Sequence, residues 1–291
     1  MITELPLVGA GGEPVDFRRT LASHGVASLP PSYIDEDAWT LEVTLPSGRG
    51  ARTARVSEGR PGVAHVEGAT SSIITQLRHM FRLDEDLSVF YAVARDDPEL
   101  AWAAAGAGRM LRSPTVFEDV VKTICTTNCA WGGTVRMVTA LVEHLGVAAP
   151  TGARTFPRPA AMAEASPDFY RDVARAGYRG AYLRTLAEDV ASGALDLEQL
   201  NDPELPVEEV EARLLALPGV GPYAAAHVML TSLGRYSRLV LDSWTRPTYA
   251  KLAGRKASDK TIARKFRRYG DFAGLAFWLL LTRGWVPDKP L

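Results

Sequence analysis

The string Leu214-Leu215-Ala216-Leu217-Pro218-Gly219-Val220-Gly221-Pro222-Tyr223-Ala224-Ala225-Ala226 constrains the fold more than any other stretch of the 291-residue sequence. A helix has to end near Leu217, because Pro218 and Gly219 break its continuation. A second begins at once, since Pro222 suits a first helical turn and the alanines after it favour helix. The two glycines permit a tight reversal between them. Such a turn leaves the N–H groups of Gly219, Gly221 and the next residues unpaired at a helix N-terminus, where partial positive charge collects. That arrangement suits a phosphate, and side chains missing at both glycines let the backbone of a polyanion approach. The same short string would also serve as a plain connector between two antiparallel helices.

Ahead of the hairpin the hydrophobic period changes once. Up to about Gly68 it is strand-like: Trp39, Leu41, Val43 and Leu45 alternate with polar residues, Pro46-Ser47-Gly48 supplies a turn, and short segments come after it around 52–56 and 63–66. From Ser71 the period is helical, with Ile73, Ile74, Leu77, Met80 and Phe81 in one stripe, and no convincing strand interrupts the rest. Ser113-Pro114-Thr115 reads as a helix start before Phe117, and Gly106-Ala107-Gly108 as a boundary. The expected fold is therefore α+β: a β-rich N-terminal domain over residues 1–108 and a helical domain over 109–291, with the hairpin at 214–230.

Composition narrows the function classes. An apolar content of 46% rules out a disordered chain, and no stretch approaches the roughly 18 uninterrupted apolar residues of a membrane helix, so a cytoplasmic, membrane-free protein is expected. The two cysteines, Cys125 and Cys129, read as buried thiols four apart on one helix and provide neither a disulfide framework nor a four-thiolate cluster. Five scattered histidines form no HExxH and no close pair, so no metal and no cofactor are expected. The net charge of −1 argues against a nucleic-acid partner, yet nine basic residues (Arg246, Lys251, Arg255, Lys256, Lys260, Arg264, Lys265, Arg267, Arg268) face one acid, Asp259, within 246–268. The acidic balance lies in runs such as Asp84-Glu85-Asp86 and Glu208-Glu209, expected to turn away from a polyanion.

Beyond the hairpin come a helix through Met229 and Leu230, a loop, and Leu239-Val240-Leu241-Asp242-Ser243-Trp244-Thr245-Arg246. Asp242 fits a helix N-cap, a role compatible with chemistry at a helix mouth. LPGVGPYAAAHVML followed by VLDSWTR closely resembles the helix-hairpin-helix, Gly/Pro-rich loop and aspartate signature (HhH-GPD) of the base-excision DNA glycosylase superfamily, in particular its 3-methyladenine glycosylase II and 8-oxoguanine glycosylase members. The resemblance implies Asp242 as the catalytic carboxylate and Gly219, Val220, Gly221, Tyr223 and Ala224 as the strand-gripping hairpin. Residues 117–146, containing Ile124-Cys125-Thr126-Thr127-Asn128, resemble the segment these enzymes push into DNA, which implies that Asn128 fills the gap left by the flipped nucleotide. Gly177-Tyr178-Arg179 resembles a second probe loop, implying a wedge at Tyr178 and an opposite-strand reader at Arg179. The N-terminal sheet is similar to the TATA-binding-protein-like domain of 3-methyladenine glycosylase II.

Two departures from the family pattern bear on chemistry. The members that also cut the strand carry a lysine two residues after the second hairpin glycine, where this chain has Tyr223, and the iron-sulfur cysteines of the endonuclease III branch are absent. Without the amine, attack on the sugar lacks its nucleophile, so hydrolysis without lyase action is expected. The implied function is a monofunctional glycosylase acting on double-stranded DNA that contains a damaged base, with an alkylated purine held among Tyr223, Trp244, Phe277 and Trp278. A monomer is expected, as for most relatives. Two alternatives stay open on the sequence: a glycosylase for oxidised or deaminated bases, and a hairpin module that binds DNA without catalysis.

Overall fold

The computed structural model describes residues 2–287. Five strands, β1 (Ile2–Pro6), β2 (Ser32–Asp35), β3 (Thr40–Ser47), β4 (Gly50–Glu58) and β5 (Val63–Glu67), form one antiparallel sheet in the order β1-β5-β4-β3-β2. The β3–β4 hairpin closes through Ser47↔Gly50, at the turn the sequence predicts. Its inner face is Leu41, Val43, Leu45, Ala54 and Val56, packed on α1 (Phe17–Leu21) and α2 (Ser71–Met80). Trp39 is not part of the alternation. It sits at φ 49° before β3, under the Arg18 guanidinium at 5.6 Å. β1 and β2 are edge strands of five and four residues, too short to show a period.

The remaining helices are α3 (Ser88–Arg95), α4 (Val116–Thr126), α5 (Trp131–Leu145), α6 (Pro159–Glu164), α7 (Arg179–Ala191), α8 (Val207–Leu215), α9 (Pro222–Thr231), α10 (Thr245–Leu252), α11 (Asp259–Phe266) and α12 (Ala273–Thr282). The chain is thus α+β, with a sheet followed by helices. Thr115 caps α4 by accepting from Glu118 N, as the Ser-Pro-Thr string implies.

The hairpin helix α9 explains how the core is built. Ala224, Ala225, Val228 and Met229 join the cluster of α4, α5, α7 and α8, while Ala226 and Leu230 join that of α3 and α10–α12. A helix buried on all sides needs small residues for neighbours to approach from both flanks, which accounts for the alanine run. The second cluster also takes in residues 87–110, so α3 and the segment after it pack with the C-terminal helices rather than with the sheet. Buried Arg82 ties the parts together, donating to Met110 O at 2.9 Å and Thr231 O at 2.7 Å while pairing with Glu85. These contacts fix the C-terminal end of α9 against the sheet-bearing part of the molecule.

Candidate DNA-binding and catalytic site

α8 ends at Leu215 and α9 starts at Pro222, so the hairpin lies where the sequence puts it. Gly219 has φ +79°, and a Cβ there would meet the Tyr182 ring at 2.8 Å. Only glycine satisfies both conditions. Gly221 has ordinary backbone angles and open space around the position of its missing Cβ, and it is exposed. The N–H groups of Gly219, Gly221, Tyr223 and Ala224 donate to no carbonyl among the described residues. Val220 departs from the expectation: its N–H donates to Leu217 O at 3.2 Å and its side chain is buried, so it anchors the turn. Ala224 is buried as well, which leaves its backbone as the only part able to serve a ligand.

Asp242 lies between the buried Val240 and α10. Its Oδ1 accepts from Trp244 N at 2.8 Å and Thr245 N at 2.6 Å, and its own N–H donates to Thr245 Oγ1 at 2.8 Å. This reciprocal cap satisfies two N–H groups at the start of α10 and fixes the carboxylate. Oδ2 has no hydrogen-bond partner among the described residues, and the side chain is half-buried. Asp242 also acts electrostatically on Tyr223 and His227 of α9. The acid therefore lies close enough to the hairpin helix for its charge to be felt at two of that helix's side chains.

Around it runs a wall of aromatic rings. Tyr223 neighbours His227 at 5.8 Å, His227 neighbours Trp278 at 6.3 Å, and Trp278 neighbours Trp244 and Trp285 at 5.6 and 6.2 Å. The Trp278 indole donates to Ser23 O at 2.7 Å, joining α12 to the N-terminal part. Trp244 and Trp285 are exposed on the outer side of the wall. Phe277 is a correction. It is fully buried against Tyr249 and Phe266, so on the largely apolar helix α12 the next residue, Trp278, is the one that turns towards His227 and Trp244. Burial pushes the Tyr223 phenol up, partly offset by the hydrogen bond it shares with Thr126 Oγ1 at 3.1 Å. The phenol stays neutral and is no general base at neutral pH.

Two histidines far apart in sequence meet here, with His24 and His227 rings 5.8 Å apart. Burial pushes them down to about 4 and about 3, respectively, so both are neutral. His24 Nε2–H donates to Leu111 O, which leaves Nδ1 as a buried acceptor without a partner. They do not form a metal site: among the described residues no group of three or more His, Cys, Asp or Glu side chains is placed to hold an ion.

The two segments expected to probe DNA also converge. Asn128 Nδ2 donates to the Tyr178 hydroxyl at 3.3 Å, and Tyr178 is 54% exposed. Tyr178 stacks edge-on with Tyr182 at 5.9 Å, and Tyr182 in turn abuts Gly219, so Tyr178 and the hairpin are in contact through two rings. Arg179 does not reach outward. It is 7% exposed and donates to the carbonyls of Thr127 and Asn128. Cys129 is likewise not on one helix with Cys125: α4 ends at Thr126, and Asn128, at φ 46°, turns the chain before α5. Burial pushes the Cys125 thiol up to about 12, and it is inert.

The basic tract is partly neutralised. Arg246 pairs bidentately with Asp259, Lys265 with Glu99, and Arg268 with Asp97 and Glu99. Lys251, Arg255, Lys256, Lys260, Arg264 and Arg267 are exposed and make no ion pair among the described residues. The acidic runs are paired too, Asp84 with Arg78, Glu85 with Arg82 and Arg112, and Glu208 and Glu211 with Arg238.

Sequence reasoning missed His24, Thr126, Tyr182, His227 and Trp285. His227 and Tyr182 had a readable signal, each four residues after an identified site residue on the same helical face. Thr126, His24 and Trp285 reach the site only through tertiary contacts.

The fold is that of known repair glycosylases. The 8-oxoguanine glycosylase/lyase of Clostridium acetobutylicum, solved with double-stranded DNA containing cytosine opposite 8-oxoguanine, superposes with a TM-score of 0.75 at 21% identity over 97% of each chain. The 3-methyladenine DNA glycosylase of Archaeoglobus fulgidus superposes at 0.70 and 20% identity, over 97% of this chain and 98% of that one. No protein-family model matches the sequence. A curated relative goes further than the fold: N-glycosylase/DNA lyase OGG1 of Arabidopsis thaliana is 32% identical over 316 aligned positions, spanning 94% of this chain and 85% of the relative. The chain belongs to the helix-hairpin-helix family of DNA glycosylases that act in base excision repair.

Proposed function

We propose that this glycosylase is monofunctional and hydrolyses the N-glycosidic bond of an alkylated purine flipped out of double-stranded DNA. The observation that carries the reading is Tyr223: the lysine position of the strand-cutting members holds a phenol that is hydrogen-bonded to Thr126. Lys122, on neighbouring α4, is buried and paired with Glu118 at 2.7 Å, so it is no substitute amine. Hydrolysis by water under the charge of Asp242 is then the available route.

The hairpin amides of Gly219, Gly221, Tyr223 and Ala224 and the exposed basic side chains hold the phosphates, while Asn128 and Tyr178 occupy the vacated stack. Leaving-group departure builds positive charge on the sugar. Asp242 Oδ2, with Oδ1 fixed by its cap, stabilises that charge and orients the attacking water. Trp244, Trp278 and Trp285 together with two neutral imidazoles offer electron-rich, uncharged surroundings that favour a cationic N3- or N7-alkylated purine. Such a base leaves without a general acid, and among the residues of this wall none is an acid near neutral pH. The enzyme works as a monomer.

A second reading, a glycosylase for oxidised or deaminated bases, draws on the relative named OGG1 and on the Asn128–Tyr178 contact. One panel of duplexes carrying 7-methylguanine, 1,N6-ethenoadenine, hypoxanthine, 8-oxoguanine and uracil separates the two. Release of the alkylated bases, with no adduct trapped by borohydride, is expected. Processing of the 8-oxoguanine duplex alone would replace the alkyl reading with the second, and a borohydride-trapped adduct would refute the hydrolytic route.

A further inference from the structure

The cation at the heart of the wedge faces inward. Arg179 opens α7 directly after the exposed Tyr178, yet it is 7% exposed. Its Nε donates to Thr127 O at 3.0 Å, Nη2 donates to Thr127 O and, at 3.0 Å, to Asn128 O, and Nη1 donates to Ala176 O at 3.4 Å. The guanidinium carbon also lies 4.6 Å from the centroid of the Tyr178 ring. One planar fork thus holds both probe segments, the 127–128 turn through its carbonyls and Tyr178 through its face.

What it holds is a costly conformation. Asn128 has φ 46°, a left-handed geometry that asparagine tolerates better than most residues but does not prefer. Turning Arg179 outward would remove the charged donor from the carbonyls of Thr127 and Asn128 and vacate a buried position. From this geometry we infer that Arg179 is a positioning residue: it presets the Asn128–Tyr178 wedge for insertion and does not read the base opposite the lesion. This rests on the assignment of Asn128 and Tyr178 as the wedge in the proposed function and departs from the role that the family resemblance implied for Arg179.

The test uses duplexes with a tetrahydrofuran abasic analogue flanked by 2-aminopurine, so that insertion is read by fluorescence and no cleavage is needed. Affinity is measured with each of the four bases opposite the analogue, for the wild-type chain, Arg179→Ala and Arg179→Lys, alongside thermal melting. Misplacing a preorganised group costs roughly 100-fold, and a loss of insertion of that order is expected for Arg179→Ala. The spread of affinities across the four opposite bases is expected to stay as in the wild type, within about fivefold, which is the least that a bidentate base contact would contribute. Arg179→Lys keeps the charge without the fork and is expected to lose insertion partially with the same spread, and it carries the test if the alanine variant does not fold. Unchanged insertion in either variant would overturn the inference, as would a collapse of the opposite-base spread by more than about fivefold. Because no base is released from the analogue, a failed lesion panel would refute the proposed substrate without touching this result.

Discussion

Asp242→Asn separates the cap that the carboxylate makes from the catalytic charge that the proposed function assigns to it. Oδ1 accepts from the N–H groups of Trp244 and Thr245, and an asparagine oxygen can accept the same two bonds. Asparagine and aspartate rank together as caps, so folding stability is expected to change by less than about 0.5 kcal/mol, whereas Asp242→Ala loses the cap and about 1 kcal/mol. The charge is lost in both variants. A carboxylate about 4 Å from a developing sugar cation, at an effective dielectric near 20, supplies about 4 kcal/mol. That corresponds to roughly a 1,000-fold fall in the rate of base release. Single-turnover release from a 7-methylguanine duplex gives the rate, and urea denaturation gives the stability. Release by Asp242→Asn within about threefold of wild type would refute the reasoning, because so small a difference is worth under 1 kcal/mol.

Gly219→Ala and Gly221→Ala are expected to fail differently. The first forces a positive φ and a contact with the Tyr182 ring, costing at least about 1–2 kcal/mol of stability, while the second meets open space and leaves the melting temperature nearly unchanged. Gly221→Ala instead places a methyl group where the proposed function brings a phosphate, and roughly tenfold weaker DNA binding is expected, the equivalent of one lost hydrogen bond to a charged group. Equal stability losses in the two variants would contradict this assignment. Acid is expected to destabilise the fold through His24 and His227. Their folded pKa values lie at about 4 and about 3, below the unfolded value of 6.5, so the unfolded chain binds more protons below pH 6.5 and stability falls as pH drops towards 4. The loss is about 2 kcal/mol per histidine between pH 7 and pH 5, and an unchanged urea midpoint over that range would contradict the burial of the pair.

What the sequence reveals here is what depends on near neighbours. The hairpin, the cap at Asp242 and the Thr115 start of α4 each need only a few consecutive residues, and all three stand as expected. β1 and β2 leave no period because they are short edges, and Trp39 alternates in sequence although its backbone turns away from the strand. Phe277 and Trp278 are adjacent on a helix without a polar face, so amphipathicity gives no direction, and only the packing of Phe266 and Tyr249 decides between them. The His24–His227 contact joins residues about 200 positions apart, and no local pattern encodes it. Arg179 is the sharpest case: its place in the motif suggests an exposed reader, while the open carbonyls of a left-handed turn capture it.

The central claim is that one acid, unaided by an amine, meets the positive charge of a departing sugar. The most direct measurement compares the affinity of the chain for a duplex carrying a cationic pyrrolidine in place of the sugar with that for the neutral tetrahydrofuran duplex. The wild-type chain is expected to prefer the cation by on the order of 100-fold or more, as enzymes prefer transition-state mimics, and Asp242→Asn to reduce that preference to a few-fold. If Asp242→Asn keeps the full preference, the charge is met by another group, and the assignment of Asp242 is wrong.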